Sequence, residues 1–171
     1  AVNPAAAEIC DGVDNDCDAT TSEDGSARFV DTTGTSTDWT AATISSTYTD
    51  ASPWAKTWTD DGTLSLCKGT YYANFTVEAD LTIVGLGGSS LDANLHGGSS
   101  NQPVLLIETD GITVDITDAI ISNGDGTKTW LGITDSGGGI YCNASGATSV
   151  NLERVYFQQN EGEAGAAIAV E

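Results

Sequence analysis

The sequence has no methionine, a single histidine and only five basic residues among 171. Without Met, Ala1 is not the initiating residue, and the small-residue start AVNPAAAE is that expected of a terminus left by signal-peptide cleavage. A secreted, extracellular or cell-surface location is therefore expected. No apolar run approaches the roughly 18 residues of a membrane helix, so no membrane span is expected. Large apolar side chains are almost missing from residues 1–27, where only Val2, Ile9 and Val13 occur, so this segment cannot build a core alone.

What is abundant is negative charge. Five Lys and Arg stand against 25 Asp and Glu, a formal charge of −20. Phosphates would be repelled, which argues against nucleic acid and anionic membrane surfaces as partners and for cations. The same excess opposes compaction, so bound metal is expected to relieve it; adaptation to high salt is the plainer account of that number. Four cysteines agree with an oxidising compartment.

The acidic residues are patterned in EICDGVDNDCDATTSED, residues 8–24. Asp14, Asp16 and Asp18 alternate and Asp11 precedes them by three, so four carboxylates fall within eight residues and repel one another unless a cation sits between them. A hard ion such as Ca²⁺ takes about six to eight oxygen ligands, and alternating Asp side chains fold round it as positions 1, 3 and 5 of calcium loops do. Thr20 would add a backbone carbonyl and Glu23 a later carboxylate, two positions earlier than in an EF-hand. Ala19 stands where such a loop carries Gly. A solvated acidic linker is the featureless alternative.

Cys10 and Cys17 bracket DGVDND. A disulfide between them would close a short ring, stabilise by about 2 to 3 kcal/mol on a chain-entropy estimate and preorganise the ligands. Thiolate ligation of a soft metal is the other possibility, but two Cys without a nearby His fall short of a zinc tetrad.

EICDGVDNDCD closely resembles the cysteine-bracketed metal-binding repeat of secreted bacterial proteins of the MopE type. The resemblance puts Asp11, Asp14, Asn15, Asp16, Asp18 and Glu23 on that family's acidic pattern, while Ala19 and Ser22 depart from the Gly and Asp usual there. The family name invokes copper. Neither His nor Met ligands accompany the motif here, so calcium is the expected ion.

Residues 28–62, Thr- and Ser-rich with Trp39, Trp54 and Trp58, read as a cap or lead-in. From residue 63 onward, short β-branched and aliphatic runs alternate with Gly, Asn, Asp and Ser clusters, without a helical period. Strands are expected at 64–67, 75–77, 81–84, 104–107, 112–116, 119–121, 139–142, 150–152, 155–157 and 167–170. Taken in threes they give rungs starting at Leu64, Val104, Gly139 and Ala167, the uneven spacing of a three-faced solenoid with loops of different length. Asn123 and Asn160 each follow a third-face strand and are expected to stack at a tight left-handed corner. The segment KTWLGITDS is expected to project as a loop. An antiparallel sandwich is the alternative.

LSLCKGTYYANFTVEADLTIVG resembles the opening rung of pectin-lyase-like β-helix proteins, and FQQN followed by GAAI is similar to the repeat of chlamydial-type polymorphic outer-membrane adhesins. The implied fold is all-β, a right-handed parallel β-helix over 63–171 behind an irregular N-terminal metal-binding segment.

Enzymes of that fold cleave acidic polysaccharides with clustered basic groups or carboxylate pairs. Here Lys68, Asp115 with Asp118, and Asp60 with Asp61 read as surface and corner residues. His96, in NLHGGSS, reads as an incidental member of a long Gly-rich loop. No catalytic set is assigned, and the chain reads as non-enzymatic. The four Trp fall outside the rungs; Trp39, Trp54 and Trp58 are expected to close one end, and Trp130 is the candidate for contact with a ligand or partner. Cys67 and Cys142, placed two rungs apart, are expected to be free and buried.

The sequence stops after AAIAV without a covering segment, so the last rung is expected either to continue or to dock on another copy, head to tail. The function expected is that of a calcium-stabilised structural or adhesive solenoid; a polysaccharide-binding module, or a lyase or hydrolase, is the alternative.

Overall fold

The computed structural model describes residues 8–11, 13, 22–86, 92–126, 137–162 and 165–170. These residues form an all-β fold with one short helix. Strands β1 (Ala27–Asp31) and β2 (Ser36–Trp39) make an antiparallel hairpin, followed by helix α1 (Ala41–Thr47) and β3 (Trp54–Trp58). Thr40 caps α1, its hydroxyl accepting the Thr43 N–H, and Ile44 is the one residue that the helix buries. The remaining strands are β4 (Gly62–Leu66), β5 (Gly69–Val77), β6 (Leu81–Gly85), β7 (Ala93–His96), β8 (Leu105–Ile107), β9 (Thr113–Ser122), β10 (Asp125–Gly126), β11 (Ile140–Cys142), β12 (Ser149–Gln158), β13 (Glu161–Gly162) and β14 (Ile168–Val170).

Apart from the antiparallel pairings of β1 with β2 and β4, the named strands pair in parallel, in three ladders and a separate short pair of β10 with β13. The first stacks β4, β6, the start of β9 and the start of β12, so that Leu64, Ile83, Ile116 and Leu152 form one column. The second stacks the start of β5, β7, the end of β9 and the end of β12, with Tyr71, Leu95, Ile121 and Phe157 in register. The third runs β3, the end of β5, β8, β11 and β14, aligning Trp58, Val77, Ile107, Cys142 and Val170. Alternation of side chains sends every second residue inward. The inner residues of the middle layers, among them Ile83, Leu95, Ile107, Val114 and Ile121, are fully buried. Each such aliphatic side chain stabilises by about 1.5 to 3 kcal/mol relative to exposure.

The long strands β9 and β12 serve two ladders because each turns at a residue in the left-handed region, Asp118 (φ +56°) and Arg154 (φ +53°). The next corner is turned by Asn123 (φ +55°) and Gln159 (φ +54°). Asn160 therefore lies opposite Gly124, one place beyond Gln159, the residue opposite Asn123, so the two Asn do not stack as expected. The Asn160 amide still joins the layers, with Oδ1 accepting the Gly124 N–H at 2.9 Å and Nδ2 donating to the Ile121 carbonyl at 2.9 Å. Gly124 is required there because a Cβ would fall 1.8 Å from the Gly138 carbonyl oxygen.

Several strand expectations are corrected by this topology. Rungs starting at Val104, Gly139 and Ala167 do share a ladder, but Leu64 does not belong to it: β4 stacks on β6, and Phe75–Val77 is what stacks on β8. Two strands account for the slip. Gly69–Tyr72, which looks like a turn, is the first half of β5, and Ala93–His96, which looks like loop, is β7. His96 thus ends a strand. The segment KTWLGITDS and Trp130 lie outside the described residues.

Trp39, Trp54 and Trp58 pack together at the N-terminal end, but Trp54 and Trp58 do not fall outside the stacked strands as expected: they bound β3, which opens the third ladder within the segment read as a cap or lead-in. Trp54 and Trp58 stand edge-on to Phe75, with ring centroids 5.2 and 5.4 Å away, and Phe29 lies 4.9 Å from Trp58. At the other end, Leu152, Tyr156, Ile168 and Val170 are exposed by 37, 59, 39 and 72 %.

Candidate metal centre

Pairing of β1 with β4 sets Ala27 against Leu66, so the residues just before Ala27 arrive beside the corner that follows β4. Backbone bonds fix them there: the Cys67 N–H donates to Ser26 O at 3.1 Å and the Gly25 N–H to Lys68 O at 2.6 Å. The fully buried Tyr71 points its hydroxyl between two carbonyls, Ser26 O at 2.6 Å and Cys67 O at 2.7 Å, which share its one proton. Burial, with Asp24 adding to it, drives the phenol well above its ordinary range, so it stays a donor. Gly25 and Gly69 make the approach possible, since a Cβ on Gly69 would lie 3.0 Å from Gly25 Cα and Gly25 itself has φ +79°.

Cys10 is bonded to Cys67, with Cα atoms 5.5 Å apart. This corrects two expectations: Cys10 is not bridged to Cys17, and Cys67 is not free. Cys142 is free and buried, as expected. The physical reason is the β1–β4 register, which delivers the chain before Ala27 to Cys67, a proximity that a separation of 57 residues hides in the sequence.

Of the expected ligands, Asp11 and Glu23 are described. The Asp11 Oδ1 accepts the Val13 N–H at 3.0 Å, and its Oδ2 lies 3.5 Å from Arg28 Nη1, a guanidinium that also approaches Asp38 at 3.6 Å. The Glu23 carbonyl accepts from Ser26 N at 3.0 Å and Oγ at 2.6 Å. Glu23 Oε2 sits 3.5 Å from Cys67 Sγ, a contact only, because a bridged sulfur carries no proton. Asp14, Asn15, Asp16, Asp18, Thr20 and Cys17 lie outside the described residues. Among the described residues, no group of three or more His, Cys, Asp and Glu is placed to hold a metal.

Residues 1–23 match a family model. Its description is "Putative metal-binding motif", of the copper-binding MopE type, and the chain therefore carries a MopE-type metal-binding motif over a small N-terminal part of its length. No curated protein and no solved structure matches the chain.

The donor set can be tested against the ion. Cys10 is held in a disulfide and is no thiolate ligand. The single imidazole, His96, belongs to β7, where its Nδ1 accepts the Gly98 N–H at 3.0 Å. The motif's other donors are the carboxylate, amide and carbonyl oxygens of its Asp, Asn, Thr and Glu residues and the sulfur of Cys17, which lies outside the described residues.

The other sequence candidates are tied into the ladders. Asp118 holds Arg154 of the next layer through two bonds of 2.6 and 2.7 Å, and Asp115 accepts from Asn151 Nδ2 at 2.8 Å. Both lie on β9. Asp61 Oδ1 accepts the Asp80 N–H at 3.0 Å, and Asp80 Oδ1 accepts the Thr113 N–H at 2.7 Å, so these carboxylates cap strand starts layer by layer. Sequence reasoning missed these links because they depend on which corners stack.

Proposed function

We propose that the chain is a calcium-stabilised, right-handed parallel β-helix with a structural or adhesive role at the cell surface, and that its exposed last strands dock on a second copy, head to tail. The observation that carries the reading is the run of three parallel ladders through the same layers, with inner residues buried from one layer to the next. Parallel crossovers are right-handed in about 98 % of cases, which supports the handedness. Support for docking comes from β12 and β14, where inward positions equivalent to buried ones are exposed, together with open ladder edges.

Asp11, Asp14, Asn15, Asp16, Asp18, the Thr20 carbonyl and Glu23 would hold the ion. Bound calcium would neutralise their mutual repulsion, and the Cys10–Cys67 bridge would transmit that order to the first layer. The role in this reading is mechanical: a clasp on the N-terminal segment.

Negative-stain microscopy and light scattering of the protein, with millimolar calcium or with EDTA, test the role. End-to-end particles that disappear in a Val170→Lys variant are expected. Particles that remain single at every calcium level contradict the assembly, and turnover of pectate- or alginate-like polymers contradicts the non-enzymatic choice.

A further inference from the structure

A cleft of about 550 Å³ opens between α1 and the start of β5, within the size range of ligand sites. Ile44 and Ala42 of α1 give it an aliphatic side, and the half-buried rings of Tyr48 and Tyr72 line it as well. Both rings are held from behind the lining. Tyr48 stacks on Trp54 with centroids 5.1 Å apart, and Tyr72 stands edge-on to His96 at 5.0 Å. Two exposed carboxylates, Asp24 and Asp50, also face the cleft, and among the described residues no Lys, Arg or His lines it. Asp50 is anchored, since Ser99 donates its hydroxyl to Oδ2 and its N–H to the Asp50 carbonyl, the latter at 2.9 Å. Among the described residues, none pairs with the Asp24 carboxylate by hydrogen bond or ion pair.

We propose that this cleft receives a Lys or Arg side chain from a basic segment of a partner protein. An anion would be repelled by the two carboxylates and by the formal charge of −20. A wholly apolar ligand would cover the carboxylates without giving them a partner. Two carboxylates also fall short of a hard ion's oxygen shell, and no metal-holding group of three is placed among the described residues. An ammonium or guanidinium on an aliphatic stem meets all the walls together: its charge faces Asp24 and Asp50, the electron-rich Tyr48 and Tyr72 rings flank it, and the stem lies on Ile44 and Ala42. The volume is that of a drug-sized ligand, more than one side chain fills, so the peptide on either side of the basic residue has room too. The negative charge of the whole chain steers such a segment towards it.

The inference goes beyond the proposed function and stands apart from it, because the ladders, the ion and the end-to-end assembly can all hold while the cleft binds nothing. Calorimetry and NMR of the Tyr48 and Tyr72 ring signals follow titration at low salt with three probes. These are the capped peptide Gly-Leu-Lys-Leu-Gly, the same peptide with norleucine for Lys, and spermidine. The Lys peptide is expected to move both ring signals saturably and the norleucine peptide to leave them unmoved. Asp24→Asn should weaken binding about two- to fivefold at an unchanged melting temperature, the range of an exposed ion pair. Ala42→Trp fills the cleft without altering the net charge and should abolish binding, which separates the cleft from diffuse attraction to an acidic protein. No saturable binding up to roughly 10 mM peptide, beyond the millimolar constants of weak ligands, overturns the inference. Equal binding of the norleucine peptide, or binding that survives Ala42→Trp, overturns it also. Spermidine binding more tightly than the peptide would assign the cleft to a small amine and overturn the protein partner.

Discussion

Cys10 is joined to Cys67 at the corner between the first two ladders, across 57 residues of chain. The bridge ties the acidic segment, which has no core of its own, to the corner between β4 and β5. Closing a loop of that length stabilises by about 4 kcal/mol on the chain-entropy estimate, more than closure through Cys17 would. Peptide mapping under non-reducing conditions should recover a Cys10–Cys67 cross-link, and Cys67→Ser should lower the melting temperature. A Cys10–Cys17 peptide would contradict the pairing.

Tyr71 is the second fastener. Tyr71→Phe keeps the ring in place and removes the donor shared by Ser26 O and Cys67 O, leaving buried carbonyls short of a partner. A loss of about 1 to 3 kcal/mol is expected in denaturant unfolding. The loss should largely vanish in a chain already lacking the disulfide if both act on the same segment, so a double-mutant cycle measures their coupling.

Between the later layers, backbone packs on backbone. Gly124→Ala places a methyl 1.8 Å from the Gly138 carbonyl oxygen and 3.0 Å from Val104 Cγ2, with no flexible side chain to yield. Separation of the layers should cost at least about 1 to 3 kcal/mol. Gly34→Ala, with open space around it, should show only the smaller penalty of a residue forced to positive φ. Melting curves of the two variants make the comparison.

His96 gives the fold a mild acid sensitivity. Burial pushes its imidazole below the ordinary value, outweighing the upward pull of Asp50, and the neutral ring accepts the Gly98 N–H. The unfolded chain takes up this proton near pH 6.5 and the folded chain only lower. Its contribution is therefore complete above about pH 6.5 and is lost as pH falls through the depressed folded value. The melting temperature of His96→Gln should fall less than that of the native chain between about pH 7 and 5.5. Parallel curves would remove His96 from the account.

Much of the β architecture was legible because runs such as LTIV, ITVDI and VYF combine β-branched residues with turn clusters, and β4, β6, β8, β9, β11, β12 and β14 follow from such runs. GTYY and ANLH were not, since each is short, polar on alternate residues and bounded by Gly or Asp. Only stacking on a neighbouring layer makes them strands. The same limit hid the disulfide, the Asp61–Asp80–Thr113 capping series and the Asp118–Arg154 pair, all of which join residues that share a corner and not a stretch of sequence. The metal-binding motif was legible because its acidic pattern is local, contained within residues 1–23.

Thermal unfolding in EDTA, then with added Ca²⁺, Mg²⁺ or Cu²⁺, tests the central claim most directly. The account predicts a lowered midpoint in EDTA that Ca²⁺ restores and Cu²⁺ does not, with the restoration lost in Asp14→Asn/Asp16→Asn. A midpoint indifferent to EDTA and Ca²⁺, or one raised by Cu²⁺ alone, would contradict it.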